Sequence, residues 1–390
     1  MKILMINVVC GIRSTGRICT DIATTLEAQG HEVKIAYGRE GVPEQFQKYA
    51  VRIGSDFDVW LHGLKARLFD GCGFGSKKAT KKFIEWIKEY NPDVIHLHNI
   101  HGYYINIEVL FEYLRFCGKK IVWTLHDCWA FTGHAAYCEI VNCEKWKTSC
   151  YNCPKIRDYP ASIIDFSKKN WERKKEIFSG IPNLILITPS NWLANLVRCS
   201  YLAHYDVRVI HNGIDISVFR STKNDIKRRL GIENKKMILG VAALWEQRKG
   251  LLDFYELSKE LDDDFRIVLV GLSNKQIKGL PQKIIGIERT NSAKELAELY
   301  SAADVYVNLT YEDNYPTTNL ESIACGTPVV TYDTGGCGEC IKDRGCIVKK
   351  GNIRGIVDQI INLSNEKNLQ TIDVGELDKK NTVYEYCKYY

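Results

Sequence analysis

The sequence predicts an α/β protein of two Rossmann-like domains, each a parallel sheet with helices on both faces, the two facing a central cleft. Three observations carry this. Strand-length apolar runs alternate with helix-length segments over residues 2–210, and the alternation restarts at 237. The chain has 390 residues, more than one ordinary core accommodates. The segment His211-Asn212-Gly213-Ile214-Asp215 separates the halves and reads as a hinge. The expected domains are 1–211, 212–375 and a closing segment 376–390, whose tyrosine-rich end forms a helix.

In order, 2–9 is an apolar strand ending in the loop 10–16. A helix follows over about 17–29 and stops at Gly30, and 32–37 is the next strand. Residues 41–75 are irregular, with a glycine-rich break at 71–75. Ser76 caps a basic amphipathic helix that ends before Pro92. Strands 93–97 and 120–125 flank a helix at 105–117, and a cysteine-rich insertion occupies 128–154. Helix 167–178, strand 184–188, helix 191–201 and strand 207–210 close the first half. The second half runs through strands 237–242 and 265–270, helix 292–302, strand 304–309, helix 316–325 and strand 328–332.

Lys and Arg exceed Asp and Glu only by 53 to 47, which does not indicate a nucleic-acid partner. The excess suits phosphorylated ligands or loose attraction to an anionic membrane. A plain solvated face is the alternative reading of the basic helix 77–88. No apolar run reaches the roughly 18 residues of a spanning helix, and no export signal precedes the first strand. The expected location is therefore the cytoplasm, with most of the fifteen cysteines reduced.

The most informative stretch is 311–330, YEDNYPTTNLESIACGTPVV. Pro suits a first helical position, because no backbone donor is lost there. The amides of Thr317, Thr318 and Asn319 then lack intrahelical partners and can bind an anion. Glu321, one turn on, is placed to accept from a ligand's hydroxyls. A phosphate site beside a carboxylate suits a nucleotide-sugar. Asp313 and Glu321 lie eight residues apart, about 12 Å of rise if helical, so they do not read as the paired carboxylates of a retaining glycosidase.

Other motifs fall at strand ends. Arg248-Lys249-Gly250 opens a helix, where a cation pair can neutralise a diphosphate as the bond to it breaks. Gly11 to Arg17 follows the first strand; it lacks the dinucleotide fingerprint and the Lys of a P-loop. His96 and His98 share a strand face, and a polar strand end lining the cleft is favoured over a metal site. Trp123-Thr124-Leu125-His126-Asp127 ends another strand, where open α/β sheets place ligands. Cys138, Cys143, Cys150 and Cys153 sit within sixteen residues, with His134 and Cys128 as spare ligands. A structural zinc, a disulfide pair and free thiols are the three readings.

Ala324-Cys325-Gly326-Thr327-Pro328-Val329, with acids at 313 and 321, resembles the donor signature of the retaining glycosyltransferases of family 4, which have the GT-B fold. The family's first Glu is replaced by Asp313, preceded by Glu312, and its Arg before Lys-Gly is Ala243 here. The resemblance spans about 1–349 and is nearest to bacterial capsule, exopolysaccharide and lipopolysaccharide transferases. It implies a nucleoside diphosphate sugar donor (UDP- or GDP-linked) and a lipid-linked or growing oligosaccharide acceptor. It also implies retention of configuration, work at the inner membrane face, and no catalytic metal. Lys249, Arg248 and the amides near Thr318 would hold the diphosphate, and Glu321 the ribose. His126 with Asp313 or Glu312 would position the sugar. Gly16, Arg17 and Asn212 would contribute substrate contacts, as would Glu339 from the loop 334–339. In GT-B enzymes the last helix returns to the first domain, and the same is expected here. Two other readings stay open: a GT-B nucleotide-sugar 2-epimerase, and a nonenzymatic nucleotide-sugar or zinc-knuckle protein with a decayed site.

Overall fold

A computed structural model describes residues 1–365 and 374–390. The chain divides into two compact units, Met1–His211 with Thr382–Tyr390, and Asn212–Asn381.

The first unit holds seven parallel strands. They are β1 (Lys2–Ile6), β2 (Glu32–Tyr37), β3 (Ala50–Arg52), β4 (Val94–Leu97), β5 (Lys120–Thr124), β6 (Leu184–Thr188) and β7 (Asp206–Val209). Their order is β3-β2-β1-β4-β5-β6-β7. Alternation along β1 sends Ile3 and Met5 into one apolar layer and Leu4 and Ile6 into the other. The sheet is therefore covered on both faces, as a parallel sheet requires.

The second unit has six parallel strands: β8 (Lys236–Val241), β9 (Phe265–Val270), β10 (Ile284–Ile287), β11 (Val305–Asn308), β12 (Val329–Tyr332) and β13 (Gly345–Val348). Their order is β10-β9-β8-β11-β12-β13. Met237 and Leu239 face one core layer and Ile238 the other. Strand order reverses between β1 and β4 in the first unit and between β8 and β11 in the second. Open α/β sheets bind ligands at such switch points, beyond the carboxyl ends of the strands.

Several local expectations need correction. The first helix is Arg13–Ala28, four residues longer at its start, because Gly11 makes the turn in the left-handed region. Gly16 and Arg17 therefore lie inside a helix. The irregular segment contains β3 and a full helix, Asp56–Phe69, opened by a reciprocal Ser55–Asp58 capping box. Ser76 stands at the cap of helix Lys77–Tyr90 without capping it; its hydroxyl pairs with His62 Nδ1 at 2.9 Å. Strands β10 and β13 and helix Ile353–Asn365 extend the second unit. The closing segment leaves the second unit at 382 rather than 376. Ile214 and Asp378 form a parallel bridge, and Lys379 pairs with Asp215 at 2.7 Å, so residues up to 381 stay with that unit.

Candidate functional site

In the second unit, the loops after β8 and β11 meet at the switch point. Gly250 makes this approach possible. Its φ is +73°, and a Cβ there would stand 2.1 Å from the Leu309 carbonyl oxygen. The turn Gln247–Lys249 consequently lies against the chain leaving β11. Arg248 Nη1 donates to the Glu312 carbonyl at 2.8 Å, and the Tyr311 amide donates to the Arg248 carbonyl at 2.8 Å. Lys249 Nζ forms an ion pair with the Asp313 carboxylate. Both side chains are partly open, at 22% and 17% exposure.

Burial pushes the Asp313 carboxyl up, but Lys249 and then Arg248 outweigh it and hold the group below its ordinary value. A second close approach fixes this loop from the other side. Gly335 has φ +54°, and a Cβ would lie 1.8 Å from the Asp313 carbonyl oxygen. Glu312 is fully buried, and Asp313 meets Lys249.

The helix after this loop is Thr317–Ala324, with Pro316 as its cap residue rather than its first helical residue. Gly326, at φ +83°, ends it in the left-handed region. Of the three expected donors, the Asn319 amide is taken by the Pro316 carbonyl at 3.2 Å. The Asn319 side chain is fully buried, accepting from Asn308 at 2.9 Å and donating to Cys340 Sγ at 3.3 Å. Asn319 thus ties β11 to the helix and offers no anion donor. Thr317 and Thr318 are half-buried at the helix start, and the Thr318 hydroxyl bonds to Tyr306. Glu321 is 2% exposed and accepts from the Tyr300 hydroxyl at 3.1 Å. Its position one turn on holds, but one carboxylate oxygen already serves the protein. No motif signalled Tyr300 or Tyr306; each reads as an ordinary apolar position of its helix or strand. Asn212 donates to the Tyr315 carbonyl at 3.2 Å, and its buried Oδ1 has no partner among the described residues. Glu339 is half-buried beside Cys340.

In the first unit, Gly16 is a packing residue. A Cβ would meet Val9 Cγ2 at 3.0 Å and the Gly11 nitrogen at 3.2 Å, and its carbonyl accepts from Gly11. Arg17 is half-buried in the second turn of the same helix. The loops after β1 and β4 meet where the Asn99 amide donates to Asn7 Oδ1 at 3.2 Å.

The histidines differ from expectation, being buried rather than lining a polar surface. His96 hydrogen-bonds Tyr390 at 2.7 Å and Thr124 at 2.8 Å. The His96 ring lies 4.1 Å from that of His98, centroid to centroid. His98 Nδ1 meets His126 Nε2 at 3.0 Å. Burial pushes His126 down to about 4, with Asp127 opposing and His101 adding to the shift. A neutral imidazole is what results at neutral pH. Tyr386 and Tyr390 of the closing segment join this cluster.

A family model described as Glycosyltransferase Family 4 matches residues 15–218, more than half of the chain. A second, Glycosyl transferases group 1, matches 222–372. The chain is 25% identical over 361 residues to WcaC of Escherichia coli K12, assigned as a colanic acid biosynthesis glycosyl transferase. That alignment covers 88% of this chain and 86% of the relative. It is 28% identical over 149 residues to an α-1,3-N-acetylgalactosaminyltransferase of Campylobacter jejuni that acts on N,N'-diacetylbacillosaminyl-diphospho-undecaprenol, over 37% of this chain and 39% of that one. Among solved structures, Anabaena HepE in complex with UDP and glucose superposes with a TM-score of 0.70 at 16% identity. That match covers 100% of this chain and 98% of HepE. With two parallel Rossmann-like sheets of seven and six strands, this shows the GT-B fold. The chain belongs to glycosyltransferase family 4.

Proposed function

We propose that this glycosyltransferase moves a sugar from a nucleoside diphosphate sugar to a hydroxyl of a lipid-linked or growing oligosaccharide. The anomeric configuration is retained, and the product enters a bacterial surface polysaccharide such as capsule or lipopolysaccharide. The observation that carries this reading is the Lys249–Asp313 ion pair at the β8/β11 switch point, with Arg248 donating to the neighbouring Glu312 carbonyl. Two cations beside the start of helix Thr317–Ala324 suit a diphosphate, and supply the charge that a divalent metal supplies in other transferases. His126, neutral, can exchange hydrogen bonds with a sugar hydroxyl, the role its resemblance gives it. The names of the Escherichia coli and Campylobacter relatives support a polysaccharide product and a lipid-diphosphate acceptor. HepE, crystallised with UDP and glucose, supports a UDP-linked donor, with GDP the alternative.

The test is a thermal-shift panel with UDP, GDP, ADP, CMP and dTDP. A diphosphate at 100 times its dissociation constant adds about 2.7 kcal/mol. One nucleotide raising Tm, with the shift lost in Lys249→Ala, supports the reading. No shift from any of the five removes it.

A lipid-borne acceptor places the enzyme at the inner face of the cytoplasmic membrane. Among the described residues no helix is long and apolar enough to cross a membrane. Helix Asp56–Phe69 instead turns Phe57, Trp60, Leu61 and Leu64 outward as one exposed stripe, with Trp60 61% exposed. Exposed Lys77, Lys78, Lys81 and Lys82 follow on the next helix. Sedimentation with vesicles containing phosphatidylglycerol should capture the protein, and Phe57→Glu with Trp60→Glu should release it. Equal capture of wild type and double variant would sink membrane contact through this face.

A further inference from the structure

The cysteine-rich insertion belongs to no part of the proposed transfer chemistry. In the first unit, Cys138, Cys143, Cys150, Cys153 and His134 all line one small cavity of about 20 Å³. That volume holds a single ion or water. All four cysteines are free thiols.

Two features go beyond the clustering. The first is His134. Its side chain is fully buried, and Nδ1 lies 2.5 Å from Asp70 Oδ1, itself fully buried. A carboxylate accepts only, so Nδ1 donates to Asp70. Its Nε2 is buried and has no hydrogen-bond partner among the described residues. A carboxylate that orients a histidine this way is the usual outer support of a metal-bound imidazole. The second feature is the direction of backbone amides. The Gly133 amide donates to Cys150 Sγ at 3.2 Å, and the Lys155 amide bonds to the Cys153 sulfur. Amides aimed at sulfur stabilise thiolate ligands. Gly133 is the residue that allows this approach. A Cβ there would stand 2.0 Å from the Ser167 carbonyl oxygen and 2.8 Å from Cys150 Cβ.

We propose that the insertion binds one structural zinc-class cation through Cys143, Cys150, Cys153 and His134. A soft donor set of three sulfurs and one imidazole nitrogen suits tetrahedral zinc. Cys138 lines the same cavity and stands outside this donor set. Among the described residues no three such side chains already gather at one ligand point. The ion therefore completes the site by drawing the thiols inward, and three thiol protons leave as it binds. The bound ion would pin the segment that follows His126 and Asp127, whose Trp129, Phe131 and Trp146 pack into the first unit's core.

The test needs no transferase activity, so its failure is separable from failure of the donor-site reading. Full-length protein purified without chelator should carry about one zinc per chain by elemental analysis. Replacing it with Co(II) should give intense visible bands of a tetrahedral site, with thiolate charge-transfer bands in the near ultraviolet. Cys150→Ser with Cys153→Ser should lower bound zinc about tenfold or more. Cys138→Ser should keep it. Asp70→Asn, which leaves every ligand in place, should weaken retention against a competing chelator by about 10- to 100-fold. Folded wild type with no zinc and no Co(II) bands would overturn the proposal. So would a thiol titration showing two cysteines lost to a disulfide, or zinc that survives in the Cys150/Cys153 double variant.

Discussion

Lys249→Ala is expected to lower the transfer rate by about 100- to 1000-fold, equivalent to about 2.7–4 kcal/mol, while leaving the fold intact. The asymmetry is the point of the experiment. As a structural ion pair, Lys249–Asp313 is partly solvated and contributes about 1 kcal/mol or less. A urea midpoint should therefore barely move. As the cation facing a departing diphosphate, Lys249 acts where negative charge builds, and water replaces it poorly. Asp313 plays the complementary part. In the proposed reaction it would hold the ammonium while no donor is bound, and Lys249 and then Arg248 hold its carboxyl below the ordinary value against its burial. Asp313→Asn should keep the backbone contacts of the loop, since Arg248 donates to the Glu312 carbonyl. Its rate should fall with the cation left unpositioned. Initial rates across donor concentrations, with urea unfolding of the same preparations, decide the matter. Lys249→Ala within threefold of wild type in rate, or losing rate only in step with stability, would show that Lys249 is merely structural.

What the sequence made legible follows from punctuation. Gly250, Gly326 and Pro328 mark a helix start, a helix end and a strand start, and the acids and cations stand at fixed offsets from them. The alternation of strands and helices carried the two sheets because their central strands are continuous apolar runs. The missed strands β3, β10 and β13 all lie at sheet edges. They are three or four residues long and only partly buried, so no apolar run announces them. Helix Asp56–Phe69 was hidden for the opposite reason. Its large apolar residues point to solvent, and its buried positions are His62 and Ala66. The partners of His96 were unreadable for a third reason. Tyr390 lies 294 residues away along the chain, and only tertiary packing brings it there. The loop and helix after β11 keep their expected helix positions but differ in burial. Asn319 and Glu321 sit at the expected helix positions, yet Cys340 and Tyr300 engage them from elsewhere in the fold.

The first unit should lose stability steeply as pH falls from about 6.5 toward 4. His62 and His126 are pushed down to about 4, His96 to about 3, and His98 well below its usual range, in each case first by burial. Each is therefore neutral in the folded protein and binds a proton once unfolded. As pH drops below 6.5 the unfolded chain takes up protons that the folded chain refuses, so the equilibrium moves toward unfolding until pH passes the folded values. The effect is absent above neutrality. At pH 5 each such histidine costs about 2 kcal/mol. Four together rival the 5–15 kcal/mol margin of a typical domain. His62 shows the chemistry directly. Its Nε2 accepts from the Gly73 amide at 3.2 Å and the Gly75 amide at 3.0 Å, and protonation would turn that acceptor into a donor facing two donors. Urea midpoints measured from pH 7.5 to 4.5 should fall with a slope that corresponds to several protons taken up. His62→Gln can keep an acceptor for both amides and does not titrate. It should flatten the slope by about one proton even where its stability at pH 7.5 is lower than that of wild type. A flat wild-type profile over this range would mean that these imidazoles are solvated or already charged, and that the packing around His96, His98 and His126 is looser than the contacts with Tyr386, Tyr390 and Thr124 require.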